Sequence, residues 1–316
     1  MSRPTDFLTF TSYPSPHSSS SSASASSSSS SRSPLPPPRT SLLLTDTLAA
    51  PGAFAVAHFL QRALRPAAIS GAAGGGAGAG KGKGKAREGR RRVVLVGVAE
   101  REEYWAALMR KNGIQLPTET VAGHFSYLDA TSPSVPLSSL YASLCALLRR
   151  PTPAPPAPPA EDAEDEAEGP IVIVDDLSAL VWRGEGAREV GRWWIAVRGA
   201  VDATNSSLIT LLHADSLSPS YPPAPSSTGA CSTPFEDSED QYLFRTVLQR
   251  SDVWVEVAGL MTGGGTGGTR GEITIHRGPS LLESTTTFTI DPSPPLQYRL
   301  EDNGAQYEVK GLGRFL

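Results

Sequence analysis

Two adjacent carboxylates, Asp175 and Asp176, close the run Ile171-Val172-Ile173-Val174. A hydrophobic strand ending in acid has the form of a Walker B element, whose Asp holds magnesium through water during phosphoryl transfer. An acid between a strand and a helix is also an ordinary N-cap, and Asp176 ahead of Leu177-Ser178-Ala179-Leu180 suits that role. The partner such a carboxylate needs is a phosphate loop. Gly75-Gly76-Ala77-Gly78-Ala79-Gly80-Lys81 fits G-x-x-x-x-G-K, but Gly82 stands where Ser or Thr would hold the metal. The tract also follows a helix and precedes a strand, the reverse of the order that aims backbone N–H groups and a helix dipole at phosphate. It reads as a glycine-lysine linker.

The position proper to a phosphate loop is the first strand–helix turn, Thr45 to Phe54. It has the length but no lysine, and Gly52 is its one glycine. Nothing there neutralises a β- or γ-phosphate. His213 and Asp215 follow a later strand, at the end where open α/β sheets place ligands, although a satisfied turn is the commoner explanation for such a pair. The five histidines, His17, His58, His124, His213 and His276, show no metal-ligand spacing. Cys145 and Cys231 have no nucleophile signature, and no G-x-S-x-G occurs. The expectation is a protein without catalytic residues, cofactor or metal.

A second candidate is electrostatic. Lys81, Lys83, Lys85, Arg87, Arg90, Arg91 and Arg92 stand against the single acid Glu88. A flexible basic segment can hold a nucleic-acid backbone without sequence preference, and it can equally be a solubilising linker or a nuclear-import patch. No aromatic residue is interleaved for base stacking.

The elements that must position these residues follow from periodicity. Ser41 to Asp46 reads as a short buried strand and Ala53 to Arg65 as a helix with Phe54, Val56, Phe59, Leu60 and Ala63 at helical spacing. Val93 to Val98 is a strand, Glu100 to Lys111 a helix ended by Asn112-Gly113, His124 to Leu128 a strand, and Leu137 to Leu148 a helix. After the strand at Ile171, the residues Val190, Trp193, Trp194, Val197 and Val201 mark an amphipathic helix. Leu208 to Leu212 is a strand, and Ser238-Glu239-Asp240-Gln241 is a capping box opening a helix with Leu243, Phe244, Val247 and Leu248 on one side. The period then becomes two. Val253 to Val257, Glu272 to His276, Thr285 to Ile290, Leu296 to Leu300 and Gln306 to Lys310 read as strands separated by turns such as Asn303-Gly304. Strands alternating with helices imply a mostly parallel sheet with helices on both faces, extended at one edge by C-terminal antiparallel strands.

Composition sets the boundaries. The chain has 316 residues, of which 30 are Gly and 28 Pro, with 19% charged and 7% aromatic. Much of the excess lies in tracts that cannot build a core: a Ser/Pro-rich leader over 1–39, expected to be disordered, and low-complexity inserts at about 67–90, 150–169 and 216–236. One α/β domain over 40–316 remains. A net charge of −4 excludes a uniformly basic nucleic-acid binder. Two cysteines fit a reducing compartment, no apolar run approaches a membrane span, and the N-terminus lacks a secretory h-region. A cytoplasmic location is expected, with the nucleus open through the basic patch. The arginines of the leader are only a faint transit-peptide signal, because almost pure serine and Pro34 to Pro38 do not make an amphipathic helix.

Taken in order, Leu42 to Asp46, Phe54 to Leu60, Val93 to Val98, Ile171 to Leu180 and Leu211 to Asp215 resemble the Elongator complex protein 6 family. Ile173-Val174-Asp175-Asp176-Leu177-Ser178-Ala179-Leu180 and the tail from Tyr298-Arg299-Leu300-Glu301-Asp302 to Val309-Lys310-Gly311-Leu312 are its most specific pieces. Val257-Ala258-Gly259-Leu260-Met261-Thr262-Gly263 also matches a recurrent step of that family. The resemblance spans about Leu42 to Leu316, broken by the inserts. It implies a RecA-like domain lacking both Walker elements and assembled with the fourth and fifth Elongator proteins into a hexameric ring, two copies of each. That ring binds tRNA and serves wobble-uridine modification, with the chemistry in another subunit. One departure concerns the channel loop after Asp215: between Arg198 and Arg245 there is no lysine or arginine, which points to partner subunits as carriers of the RNA-binding charge. Two other readings stay open at the level of residues. One is a degenerate P-loop protein that keeps nucleotide binding or phosphoryl transfer through Asp175 and Asp176. The other is a nucleic-acid-binding module led by the basic insert.

Overall fold

The computed structural model describes residues 6–12, 31–65, 90–150, 168–215, 238–260, 270–283, 288–290, 294–301 and 304–310. Six parallel strands form the centre: β3 (Ser41–Asp46), β4 (Val93–Gly97), β5 (Phe125–Asp129), β6 (Ile171–Asp175), β7 (Ser207–His213) and β8 (Val253–Gly259). Three antiparallel strands, β9 (Arg270–Arg277), β11 (Leu296–Glu301) and β12 (Gly304–Val309), continue the sheet beyond β8. The spatial order is β12-β11-β9-β8-β3-β7-β6-β4-β5. The first parallel strand, β3, therefore sits between β7 and β8, and the Asp-ended β6 lies one strand away.

These strands have few alternating polar positions because both faces are covered. Leu42 and Leu44 of β3 pack in one core with helices α1 (Ala53–Leu64), α2 (Glu102–Lys111) and α3 (Leu116–Val121), whereas Leu43 packs in the other. That second core contains α4 (Leu137–Leu148), α5 (Ser178–Trp182), α6 (Ala187–Ala203) and α7 (Glu239–Leu248). Val94 and Val96, Val172 and Val174, and Leu208 and Leu212 face it, while their odd-numbered neighbours face α1 and α2. The expected α/β architecture is what forms, down to the capping box: the Ser238 side chain accepts the Gln241 N–H at the start of α7. Trp193 and Trp194, which mark the amphipathic face of α6, are core, whereas Trp182 on α5 is exposed. Trp194 is fully buried with its indole N–H on Thr210 Oγ1 at 2.8 Å, the partner a buried indole needs. Helices α3, α5 and α8 (Pro279–Glu283) have 5 or 6 residues and were too short to show as a sequence period.

Two expectations need correction. The strand at Thr285 to Ile290 was placed on the main sheet. Its described part, β10 (Phe288–Ile290), instead forms a separate three-stranded sheet with β1 (Phe10–Ser12) and β2 (Ser31–Ser33). The leader was read as disordered throughout 1–39, yet two pieces of it pack on the domain. Phe7, Leu8 and Phe10 are buried, with Phe7 against His58, Phe59 and Tyr307. Asp6 lies 2.6 Å from Arg62 Nε and 3.3 Å from His58 Nε2, both on α1. Three large apolar residues suffice to anchor a short segment against surrounding polar composition. The carbonyls of Pro36 and Pro37 accept hydrogen bonds from Arg91 and Ser207, so the proline tract seals the N-terminal end of the sheet. The serine run 13–30 and the greater part of each expected insert lie outside the described residues, which resume at Arg90, Glu168 and Ser238.

Candidate functional site

Because β3, β6 and β7 run parallel, the residues that end them meet at one edge of the sheet. Asp46 and His213 are register partners across β3 and β7, and Asp175 closes β6 beside Gly97 of β4. The edge is the C-terminal one, where open α/β sheets bind ligands.

The β3–α1 turn occupies the phosphate-loop position, and three of its amides are held within the chain. Asp46 Oδ2 accepts the Gly52 N–H at 2.6 Å, Asp215 Oδ2 accepts the Leu48 N–H at 2.7 Å, and the Ala50 N–H is bonded to the Thr47 carbonyl at 2.9 Å. Gly52 packs closely here: a Cβ would stand 3.0 Å from both Asp46 Cβ and Leu211 Cδ1, so a side chain would force these neighbours to shift. His213 joins the two carboxylates: Nδ1 lies 2.8 Å from Asp46 Oδ1, and Nε2 is paired with Asp215 Oδ2. Its backbone N–H is held by Ser178 Oγ at 2.9 Å, and Trp182 stands edge-on to its ring at 5.3 Å.

Asp175 is 2% exposed and accepts the Glu100 N–H at 3.2 Å and the Trp105 indole N–H at 3.3 Å. Burial, then the neighbouring Asp176 charge, pushes its carboxyl up to about 7. Asp176 has a left-handed backbone, φ 50°, and bonds with the Ser178 backbone and hydroxyl at the start of α5. That is the end-of-strand capping role read from sequence, one residue further out, since Leu177 is the N-cap. Burial, then Asp46, pushes Asp176 up to about 6, and its Oδ1 makes no hydrogen bond. Asp46 is raised by burial against the opposing hydrogen bonds from Gly52 and His213. For His213, burial works against the charged ring, but Asp46, Asp215 and Asp176 outweigh it and hold the imidazole above its ordinary value. Tyr127 roofs the β4 end: its hydroxyl donates to the Glu100 carbonyl at 2.7 Å, in space that a Cβ on Gly97 would invade.

The chemistry open to this arrangement is narrow. Four carboxylates and one imidazole converge where a triphosphate would need cations and free amides. Among the described residues, no three of these side chains are placed so that they could hold one metal ion.

The basic candidates separate. Lys81, Lys83 and Lys85 lie outside the described residues. Arg90, Arg91 and Arg92 were read as nucleic-acid contacts, and Arg91 and Arg92 are structural instead. Arg91 is buried with its guanidinium on the carbonyls of Pro36 and Gly169 and on Ser207 Oγ. Arg92 is buried on the carbonyls of Leu147, Leu148 and Arg150. Arg90 pairs with Glu119 at 3.2 Å. The physical reason is that each strand-leading arginine meets unsatisfied carbonyls at helix and loop ends.

Asp46 is the residue that sequence reasoning missed. It stands in the first strand–helix turn, where a cation and not an anion would serve a phosphate. The available signal was position: Asp46 and His213 each close a mostly apolar strand.

Fold and site together define an α/β domain whose first strand–helix loop is closed by its own carboxylates. No family model and no curated protein matches the chain. Among solved structures, a KaiC-like protein from the hyperthermophilic archaeon Pyrococcus horikoshii OT3 is similar, with 11% identity over 86% of this chain and 90% of that one and a TM-score of 0.48.

Proposed function

We propose that this chain is a non-catalytic, RecA-like subunit of a hetero-hexameric Elongator ring that supports tRNA binding and wobble-uridine modification. The observation that carries the non-catalytic part is the occupancy of the loop amides. Gly52 and Leu48 donate to Asp46 and Asp215, so an incoming phosphate finds these two donors taken and faces negative charge. The fold supports the RecA-like part: the sheet is mostly parallel with helices on both faces, and the loop after β3 and the Asp-ended β6 lie at the same edge with one strand between them. The partner subunits and the tRNA come from the sequence resemblance, centred on Ile173 to Leu180 and the Tyr298 to Leu312 tail. A cytoplasmic and nuclear location is proposed on the same ground. No helix among the described residues is long and apolar enough to cross a membrane.

Co-expression with the fourth and fifth Elongator proteins, followed by light scattering, tests the assignment. A stoichiometric six-chain particle supports it. A lone monomer of 33.3 kDa, with the partners assembled without it, overturns it.

One observation favours a second reading, a degenerate P-loop protein that still binds nucleotide: the Asp176 Oδ1 atom is buried without a hydrogen bond. Saturable ATP binding by the isolated chain, weakened by Asp175→Asn, would establish that reading in place of the first.

A further inference from the structure

His213 faces a carboxylate oxygen on each of its ring nitrogens, Asp46 on one side and Asp215 on the other. A neutral imidazole has one N–H and one lone pair, so it can donate to only one of them; both pairings together require the cation. The same two carboxylates hold the β3–α1 turn, Asp46 through Gly52 and Asp215 through Leu48. We propose that His213 is a proton-controlled pin for this turn: carrying a second proton it locks both carboxylates onto the loop amides, and on losing that proton it releases Asp215 and with it the Leu48 end of the loop. This inference stands on the geometry of the isolated chain and not on the ring assignment.

The choice of which side opens follows from burial. The Asp46 side chain is 10% exposed and fixed between Gly52 and the ring, while the Asp215 side chain is 42% exposed with water as its alternative partner. A lone pair turned toward Asp215 is repelled, and the outer carboxylate is the one free to rotate away. Leu48 is 80% exposed, so no packing resists its departure once its N–H loses its acceptor.

The charged groups around the ring come from every neighbouring element: Asp46 at the end of β3, Asp215 beyond β7, and Asp176 beyond β6. Trp182 on α5 adds its ring edge and Ser178 its hydroxyl. All three charges are negative and favour the protonated ring. Asp46 and Asp176 themselves retain protons more strongly than ordinary carboxyls, so the cluster titrates as a coupled set. A variant is therefore needed to isolate the imidazole.

The test uses the full chain labelled with 15N-leucine. The Leu48 amide is followed by hydrogen exchange, corrected for intrinsic rate, from pH 5.5 to 8.5, with the His213 ring nitrogens followed by NMR over the same range. Protection at Leu48 should fall about tenfold or more as His213 loses its second proton, while Leu43 and Leu44 inside β3 stay protected. His213→Gln should abolish that pH response. Asp215→Ala, at a half-exposed position tolerant of change, removes the acceptor of the Leu48 N–H and should leave it weakly protected at every pH. Equal protection at both ends of the range in the wild type overturns the proposal. So does a response that survives in both variants, which would assign it to the carboxylates alone.

Discussion

His213 Nδ1 lies 2.8 Å from Asp46 Oδ1, across two parallel strands that pair these same residues in register. The pairing turns the phosphate-loop position into a self-contained ion cluster. A carboxylate where a cation would serve a nucleotide takes the loop amides for itself, and a histidine on the neighbouring strand supplies the counter-charge. Function by nucleotide turnover and stability of this edge are thus opposed within a few residues.

The proton affinity of His213 is higher in the folded chain than in the unfolded one. Its stabilising contribution is therefore present in full below its ordinary 6.5 and lost as pH rises through the raised folded value. His213→Gln should cost about 1–2 kcal/mol at pH 6, with a smaller cost at pH 8.5. Urea denaturation at the two pH values measures it, and an equal loss at both would contradict the charged ring.

Asp175 runs in the same direction through a different cause. Burial holds its carboxyl at about 7, so the folded chain keeps a proton that the unfolded chain releases near 4. Stability from this group falls as pH rises from about 4 to about 7. Asp175→Asn keeps an acceptor for Glu100 and Trp105 and removes the desolvated charge. It should stabilise the chain by about 1–3 kcal/mol at pH 8 and change little at pH 5. Destabilisation at pH 8 would show that the ionised carboxylate is needed.

The parallel core was legible because strands covered on both faces are continuous apolar runs: Ile171 to Val174 and Val93 to Val96 need no context to be read. The site was less so. Asp175 and Asp176 announced themselves by adjacency, and His213 with Asp215 by position, but the pairing of Asp46 with His213 depends on β3 and β7 being neighbours. They are separated by three intervening strands in sequence, and no local period encodes that order. Arg91 and Arg92 misled for the converse reason. A run of like charges reads as a solvated patch until the carbonyls of Pro36, Gly169, Leu147 and Arg150 are brought to it by the fold. Phe7, Leu8 and Phe10 were hidden by the polar composition around them.

The buried arginines make a prediction about nucleic acid. Arg92→Ala takes the guanidinium donors from the carbonyls of Leu147, Leu148 and Arg150, leaving Leu147 only the Arg150 N–H, and should lower stability by about 1–3 kcal/mol. RNA affinity of the fraction that remains folded should be unchanged. Neutralising Lys81, Lys83 and Lys85 together should do the reverse, weakening any RNA binding and flattening its salt dependence without moving the urea midpoint. Filter binding at two salt concentrations, beside denaturation, separates the two; a loss of RNA affinity by folded Arg92→Ala would return that residue to the binding patch.

The N-terminal segment gives the last test. Phe10 is fully buried, packs edge-on against Phe288 at 5.8 Å, and belongs to the strand that joins β2 to β10. Were the leader a mere appendage, Phe10→Ala would be silent, as changes in exposed tails are. Truncating a large buried aromatic instead costs about 3–5 kcal/mol in a rigid core, and less where the segment can collapse or detach. Since β1 has three residues and pairs on both sides, detachment limits the loss, and about 2–3 kcal/mol is expected. Asp6→Asn, which weakens the tie to Arg62 and His58 at 23% exposure, should cost under about 1 kcal/mol. Denaturant midpoints of the two variants and of a chain lacking residues 1–12 decide the matter. The truncation, which also removes the buried Phe7 and Leu8, should cost at least as much as Phe10→Ala, and a truncated chain as stable as the wild type would show that the small sheet contributes nothing to the fold.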